Sequence, residues 1–269
     1  MRDILEDWLA EDVGKGDFTS QAVVQNIPCE AQVTGGPGIV SGIKIVKRLL
    51  TMVHIDYQTS LSDGRKIKLG DIIFSLKGKS HSILKIERLL LNILCHLSGI
   101  ATLTAEIVAI AKSVNPNVEI LATRKTIPGF REFEKEAVVH GGGRTHRLRL
   151  DDAILIKDNH LKLTNSISKA IANSKLKYPD LMIEVEADTP EQALEATKSN
   201  ADRVMLDNFT PELVKTTVSE IKSISDIEIE ISGGVNIENI IYYAPYADFI
   251  SLSSLTMAAP PVDFTLHVI

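Results

Sequence analysis

From residue 118 onward, apolar strand-like runs recur with helix-like segments between them, and this alternation constrains the fold more than any other feature. The runs are VEILAT (118–123), AILI (153–156), MIEVE (182–186), RVMLD (203–207), IEIEIS (227–232) and FISLS (249–253). Helix-like segments separate several of them, at 166–178, 189–200 and 210–224. Two of these open on Thr-Pro-Glu, a threonine N-cap followed by proline at the first helical position, and Thr189 to Gln192 has capping-box spacing. Strands joined through helices run parallel, because a crossover is what returns the chain in the same direction. Six such strands fall short of the closed eight-stranded barrel, so periodicity alone leaves a doubly wound sheet and a smaller or open barrel as alternatives.

Residues 1–97 have a different texture. Short strand-like pieces at 31–34, 38–40 and 72–76 are punctuated by Gly35-Gly36-Pro37-Gly38 and Asp63-Gly64 and interspersed with helical stretches. This pattern implies an α+β unit with an antiparallel sheet. A long, mostly apolar helical region from Leu84 to Ala111 follows, with Arg88 standing out among leucines and isoleucines.

Composition removes several classes of function. With 29 Lys+Arg against 35 Asp+Glu, the net charge of −6 argues against a general nucleic-acid binder, which must be basic to neutralise phosphates. Aromatics at 5% leave few platforms for stacking bases. No uncharged apolar run reaches about 18 residues, and the start MRDILEDWLAEDVGKGDFTS is acidic where a signal peptide needs a basic flank. A cytoplasmic protein with no membrane partner is expected. Cys29 and Cys95 stand apart from each other and from any histidine at zinc spacing, so both are expected as buried, small apolar residues.

In both candidate architectures ligands bind beyond the C-terminal ends of the parallel strands. Those ends read Thr123-Arg124-Lys125, Lys157-Asp158-Asn159, Glu186, Asp207-Asn208, Ser232-Gly233-Gly234 and Ser253-Ser254. The segment Gly141-Gly142-Gly143-Arg144-Thr145-His146-Arg147 lies between the first two. Together with Arg88 these positions bring cations to one site in a net-acidic chain, a field that favours a multiply anionic substrate. Arginine suits planar carboxylates through its fork, and lysine suits phosphate as a point charge. Glu186 and Asp207 are candidates to hold Mg²⁺ against substrate phosphates, with salt bridges to the same cations as the alternative. Ser232-Gly233-Gly234 leads towards a helix expected near Asn236, where backbone N–H groups can cradle a phosphate, or it is simply a turn. The phosphate loop GxxxxGK[ST], the dinucleotide fingerprint GxGxxG and the serine elbow GxSxG are all absent.

The stretches EDVGKGDFTS (11–20), ERLLLNILCHLSGIATLT (87–104), TRKTIPGFREFEKEAVVHGGGRTHRL (123–148), LIKDNH (155–160), EVE (184–186), LDN (206–208) and SGG (232–234) occur in this order. In them the chain resembles the quinolinate phosphoribosyltransferase family, nearly end to end. The resemblance implies a type II phosphoribosyltransferase: an N-terminal α/β sandwich domain over 1–97, rejoined by 259–269, and a C-terminal open α/β barrel over 98–258. It implies a homodimer or higher homo-oligomer in which Arg88 reaches the neighbouring subunit's site. Arg88, Arg124, His146, Arg147 and Lys157 would bind the pyridine dicarboxylate, with Thr123 beside them. Lys125, Glu186 and Asp207 would handle Mg²⁺, pyrophosphate and ribose, with Lys125, Lys157, Glu186 and Asp207 as the catalytic set. Ser232, Gly233 and Gly234 would take the 5-phosphate.

The chain departs from the family pattern at Ala122, where the family has Asp, and at Ser253-Ser254-Leu255-Thr256-Met257, where it has Gly-Ala-Leu-Thr-His. These changes bear on the 5-phosphate contacts, where Ser253 or Ser254 hydroxyls can stand in for the lost histidine. The implied reaction is phosphoribosyl transfer from 5-phosphoribosyl 1-pyrophosphate to quinolinate with decarboxylation, giving nicotinate mononucleotide, pyrophosphate and CO₂, as in NAD biosynthesis. Three alternatives stand beside it. A Schiff-base lyase would use Lys157. A non-catalytic sensor would bind anionic metabolites with the same cations. A related molybdenum-uptake-associated branch also carries Ala-Thr-Arg-Lys, but without LIKDNH.

Overall fold

The computed structural model describes residues 3–164 and 166–269. In its second half the strands Ile183–Ala187, Arg203–Asp207 and Glu228–Ser232 alternate two kinds of residue. Val185, Val204, Leu206, Ile229 and Ile231 are fully buried on one face, and the residues between them are Glu, Arg, Met, Asp and Ser. The chain separates into two units, one of Thr104–Val138 with Gly143–Ala258 and one of the chain up to Leu103 with Val139–Gly142 and Ala259–Ile269.

In the Thr104–Ala258 unit seven parallel strands form one sheet in the order Arg144–Thr145, Glu119–Ala122, Phe249–Leu252, Glu228–Ser232, Arg203–Asp207, Ile183–Ala187, Ile154–Ile156. A doubly wound sheet reverses strand order at a switch point. Here the order is a ring read cyclically, broken between Arg144–Thr145 and Ile154–Ile156, which are consecutive in the chain. The unit is therefore an open α/β barrel. Six strands were expected from periodicity; the seventh, Arg144–Thr145, is two residues long and too short to show a period.

Register fixes what lines the concave face. Arg203 pairs with Glu184 and Glu228, Met205 with Glu186 and Glu230, and Asp207 with Ser232, so these residues share one face of the sheet. The helices between the strands start as the sequence dictates. Thr189 and Thr210 accept hydrogen bonds from the backbone N–H groups of Gln192 and Leu213, each at 3.3 Å, ahead of helices Pro190–Lys198 and Pro211–Lys222. The return arm of the Thr189 capping box lands one residue early, with Gln192 accepting from the Asp188 N–H at 2.8 Å. The helix expected near Asn236 begins only at Ile240 and runs four residues. Asn236 instead closes an Asx turn, its side chain accepting from Glu238 and Asn239 N–H.

The other unit is built on a four-stranded antiparallel sheet in the order Phe264–Val268, Pro28–Gly35, Asp71–Lys79, Asp56–Gln58. Helix Ile43–Met52 buries Ile43, Val46, Leu49 and Leu50 at helical spacing. Gly42 at its N-cap has no side chain to offer, and the Asp63 carboxylate accepts from Ile43 and Lys44 N–H instead, at 2.8 and 3.1 Å. Cys29 and Cys95 are free, and both are partly exposed rather than buried. Cys29 lies at the start of its strand, where neighbours on both sides face solvent. Helix Ser80–Val114 is long and apolar enough to cross a membrane by length and composition, at mean hydropathy 1.8, yet half of that window is buried within the protein. Ile83, Ile86, Leu90, Leu94 and Leu97 are core residues on it.

Candidate active site

Parallel strands end together, so the residues just beyond them converge. A cavity of about 440 Å³, within the usual range for a small-molecule site, opens over the concave face of the barrel. Nine of the positions singled out in the sequence line it: Thr123, Arg124, Lys125, His146, Arg147, Lys157, Glu186, Asp207 and Ser232. Arg88 lies exposed on helix Ser80–Val114, in the other unit, and is not part of this lining. Gly233, Gly234, Ser253 and Ser254 are likewise outside it. The two glycines have φ of +78° and +67°, and a Cβ on Gly233 would collide with Asn208, so the turn needs glycine there. With no helix directly behind them, the expected dipole support for a phosphate at this turn falls away.

The cationic wall is assembled from two loops. The Lys125 N–H donates to Thr123 Oγ1 at 3.1 Å, which tightens the turn after strand Glu119–Ala122. Lys125 is tied again by Thr256, a buried residue whose hydroxyl donates to the Lys125 carbonyl at 2.6 Å. Arg147 donates from Nη1 to the Ala153 carbonyl at 3.2 Å. Burial, then repulsion from Arg124, pulls the Arg147 guanidinium below its ordinary value. Arg124 Nε is buried without a protein hydrogen-bond partner. Lys157 forms an ion pair with Glu186. Asp207 accepts from Asn208 Nδ2 at 2.6 Å.

Below this wall is a buried charge cluster that sequence reasoning missed. His146 Nε2 lies 2.9 Å from Glu184 and 3.3 Å from Glu230, and both carboxylates are completely buried. Arg203 donates from Nη1 to Glu230 at 3.3 Å, bonds Glu228 at 2.8 Å, and stacks over the Phe249 ring at 3.8 Å. Burial alone would depress His146, but hydrogen bonds to Glu184 and Glu230 reverse this and push its pKa up to about 9. His146 Nδ1 lies 2.8 Å from the Arg147 backbone N, and Nε2 faces Glu184 at 2.9 Å. Burial and the Glu230 charge push Glu184 up to about 7. Both ring nitrogens of His146 are thus engaged by the protein. His146 lines the cavity and at the same time holds the backbone of Arg147.

A signal for this cluster was present. IEVEA and EIEIS place a glutamate at every second residue of strands otherwise built for full burial, which puts carboxylates inside the barrel. Leu155, Met205 and Ser251 also line the cavity and carried no chemical signal of their own.

Comparison with known proteins identifies the lineage. Residues 17–98 match the quinolinate phosphoribosyl transferase N-terminal domain, and residues 100–267 match the C-terminal domain. A probable nicotinate-nucleotide pyrophosphorylase [carboxylating] of Archaeoglobus fulgidus is 44% identical over 88% of this chain and 93% of that protein. The rat nicotinate-nucleotide pyrophosphorylase [carboxylating] is 35% identical over 97% of this chain and 88% of its own. The solved nicotinate-nucleotide pyrophosphorylase of Francisella tularensis superimposes with a TM-score of 0.93 at 34% identity, covering 99% of this chain and 95% of that one. Sequence, domain content and fold agree over the full length, and the chain belongs to the quinolinate phosphoribosyltransferase family.

Proposed function

We propose that this protein transfers the phosphoribosyl group of 5-phosphoribosyl 1-pyrophosphate to quinolinate and releases CO₂, forming nicotinate mononucleotide and pyrophosphate. One observation carries the reading: Arg124, Lys125, Arg147 and Lys157 line the same cavity as Glu186 and Asp207. The cations suit a dicarboxylate and a pyrophosphate, and the acids suit a sugar and a metal. Anion binding alone gives no reason for two carboxylates in the cavity, which speaks against a sensor. A lysine nucleophile is a free amine in apolar surroundings, whereas Lys157 is ion-paired with Glu186, which speaks against a Schiff-base lyase.

Arg124 and Arg147 orient the ring by gripping its carboxylates. As the bond between C1 of the ribose and pyrophosphate breaks, negative charge gathers on the leaving group and positive charge on the sugar. Lys125 and Lys157 stabilise the first, and Glu186 and Asp207 orient the ribose hydroxyls beside the second. The pyridine nitrogen bonds to C1, and its quaternary charge makes the adjacent carbon a tolerable carbanion. The neighbouring carboxylate then leaves as CO₂, its bonding pair stays on the ring carbon, and a solvent proton completes the product. Glu186 and Asp207 end on adjacent strands and offer hard oxygen ligands, a donor set that fits Mg²⁺ with substrate phosphates. Bound there, Mg²⁺ would supply Lewis-acid neutralisation of the pyrophosphate.

We infer also that the enzyme works in the cytoplasm as a homo-oligomer in which Arg88 serves the neighbouring subunit's site. Its exposure on helix Ser80–Val114, outside the lining of its own cavity, supports this reading. Mixing inactive Arg88→Ala and Lys157→Ala chains should restore part of the activity, and hybrids as inactive as either parent would refute the sharing. The reaction itself is tested by measuring pyrophosphate and CO₂ release from quinolinate and the phosphoribosyl donor, with nicotinate in parallel. Turnover of neither acid would end the proposal.

A further inference from the structure

Lys135 is 1% exposed, on helix Arg131–His140, and is assigned no role by the reaction described above. Burying an ammonium costs several kcal/mol unless its hydrogen bonds are met. Here all three donors are used, on the carbonyls of Ala122, His146 and Arg147 at 2.9, 3.1 and 2.8 Å. None of these acceptors is a carboxylate. All lie at points where strands hand over to the cationic loops: Ala122 precedes Thr123-Arg124-Lys125, and His146-Arg147 follows strand Arg144–Thr145. The His146 N–H also donates to the Ala122 carbonyl at 3.3 Å, so both loops start from one knot. The neighbouring Glu134, fully buried, accepts from the Ile127 N–H at 3.1 Å and anchors the far side of the first loop.

A buried cation among Arg131, Arg124 and Arg147 is an unfavourable choice for packing alone. Burial first, and then these like charges, pull Lys135 down to about 8. A structural knot of carbonyls needs only neutral donors, so the choice of an ammonium points to the loops it holds.

We propose that Lys135 is a positioning residue for the pyridine dicarboxylate, fixing the spacing between Arg124 and Arg147 so that their guanidinium groups meet two carboxylates at once. The proposal rests on the quinolinate reading above. The phosphoribosyl donor should depend on it far less. Glu186, Asp207 and Ser232 come from other strands, and Lys125 has its own tie through Thr256.

The test is equilibrium binding of quinolinate and of 5-phosphoribosyl 1-pyrophosphate to the wild type, Lys135→Met and Lys135→Gln, with steady-state KM values for both substrates. Quinolinate binding and KM should worsen at least tenfold in each variant, and the values for the donor should move less than threefold. Equal weakening for both ligands, or unchanged quinolinate binding in a folded variant, overturns the proposal. If Lys135→Met does not fold, Lys135→Gln, which keeps two N–H donors, carries the same comparison. If neither folds, Lys135 is a stability residue and the proposal fails. A wild type that binds no quinolinate is a different result, the failure of the substrate reading itself.

Discussion

Arg203→Met isolates the buried charge cluster from the chemistry above it. The guanidinium makes two ion pairs of unequal worth. Its partner Glu228 is 49% exposed, and such a pair contributes at most about 1 kcal/mol. Glu230 is fully buried 3.3 Å away; removing one partner of a buried pair costs about 3–5 kcal/mol, and His146, 3.3 Å from the same carboxylate, keeps the loss towards the lower end. Stacking on Phe249 adds about 0.5–2 kcal/mol, much of which a methionine sulfur over the same ring returns. The sum is a loss of about 3–5 kcal/mol. At roughly 2–4 °C per kcal/mol for a chain near this size, the melting temperature should fall by about 6–20 °C. Urea unfolding of four proteins decides the matter. Glu228→Gln should stay within about 1 kcal/mol of wild type. Arg203→Met combined with Glu230→Gln should recover much of the single-variant loss, since the carboxylate that lost one of its two cationic partners is gone. An Arg203→Met protein within about 1 kcal/mol of wild type, or a double variant no better than the single, would refute the reasoning.

Arg147→Ala should weaken quinolinate binding by about 2–5 kcal/mol, with little change for the phosphoribosyl donor; an unchanged KM for quinolinate would remove Arg147 from the site. His146, raised to about 9 from an ordinary 6.5, contributes stability that is complete below pH 6.5 and lost above pH 9. The unfolding free energy should therefore fall across that window by up to about 3 kcal/mol, and a flat profile in chemical denaturation would count against the pairing of His146 with Glu184 and Glu230. Asp207→Asn should raise the Mg²⁺ concentration needed for half-maximal activity while leaving quinolinate binding intact, a split that titration calorimetry can check.

The strand ends were legible because strand identity and direction follow from local pattern, and a parallel sheet delivers its C-terminal ends to one place wherever the helices lie. Thr123 to Lys125, Lys157, Glu186, Asp207 and Ser232 could thus be named as one site without any contact being known. Two kinds of feature escaped. Arg144–Thr145 is a strand only because Leu121 and Ala122 pair with it, a long-range fact with no local period. The pairing of His146 with Glu184 and Glu230 escaped because these partners come from distant strands, and only the sheet register brings them beneath it. The Ser232-Gly233-Gly234 turn shows the limit of composition. Glycines were rightly read as a turn, but Asn236 spends its side chain on an Asx turn and delays the helix to Ile240.

The break in the ring between Arg144–Thr145 and Ile154–Ile156 has a mechanical meaning. A fully joined ring fixes its girth through strand number and stagger, and its mouth can neither widen nor tighten without rupturing backbone pairing. In this protein the connection across the gap, residues 146–153, is a loop that carries Arg147. Where the sheet is open, resistance to a change of girth rests on the loop's own ties, the Arg147 Nη1 bond to the Ala153 carbonyl and the Lys135 bonds to the His146 and Arg147 carbonyls.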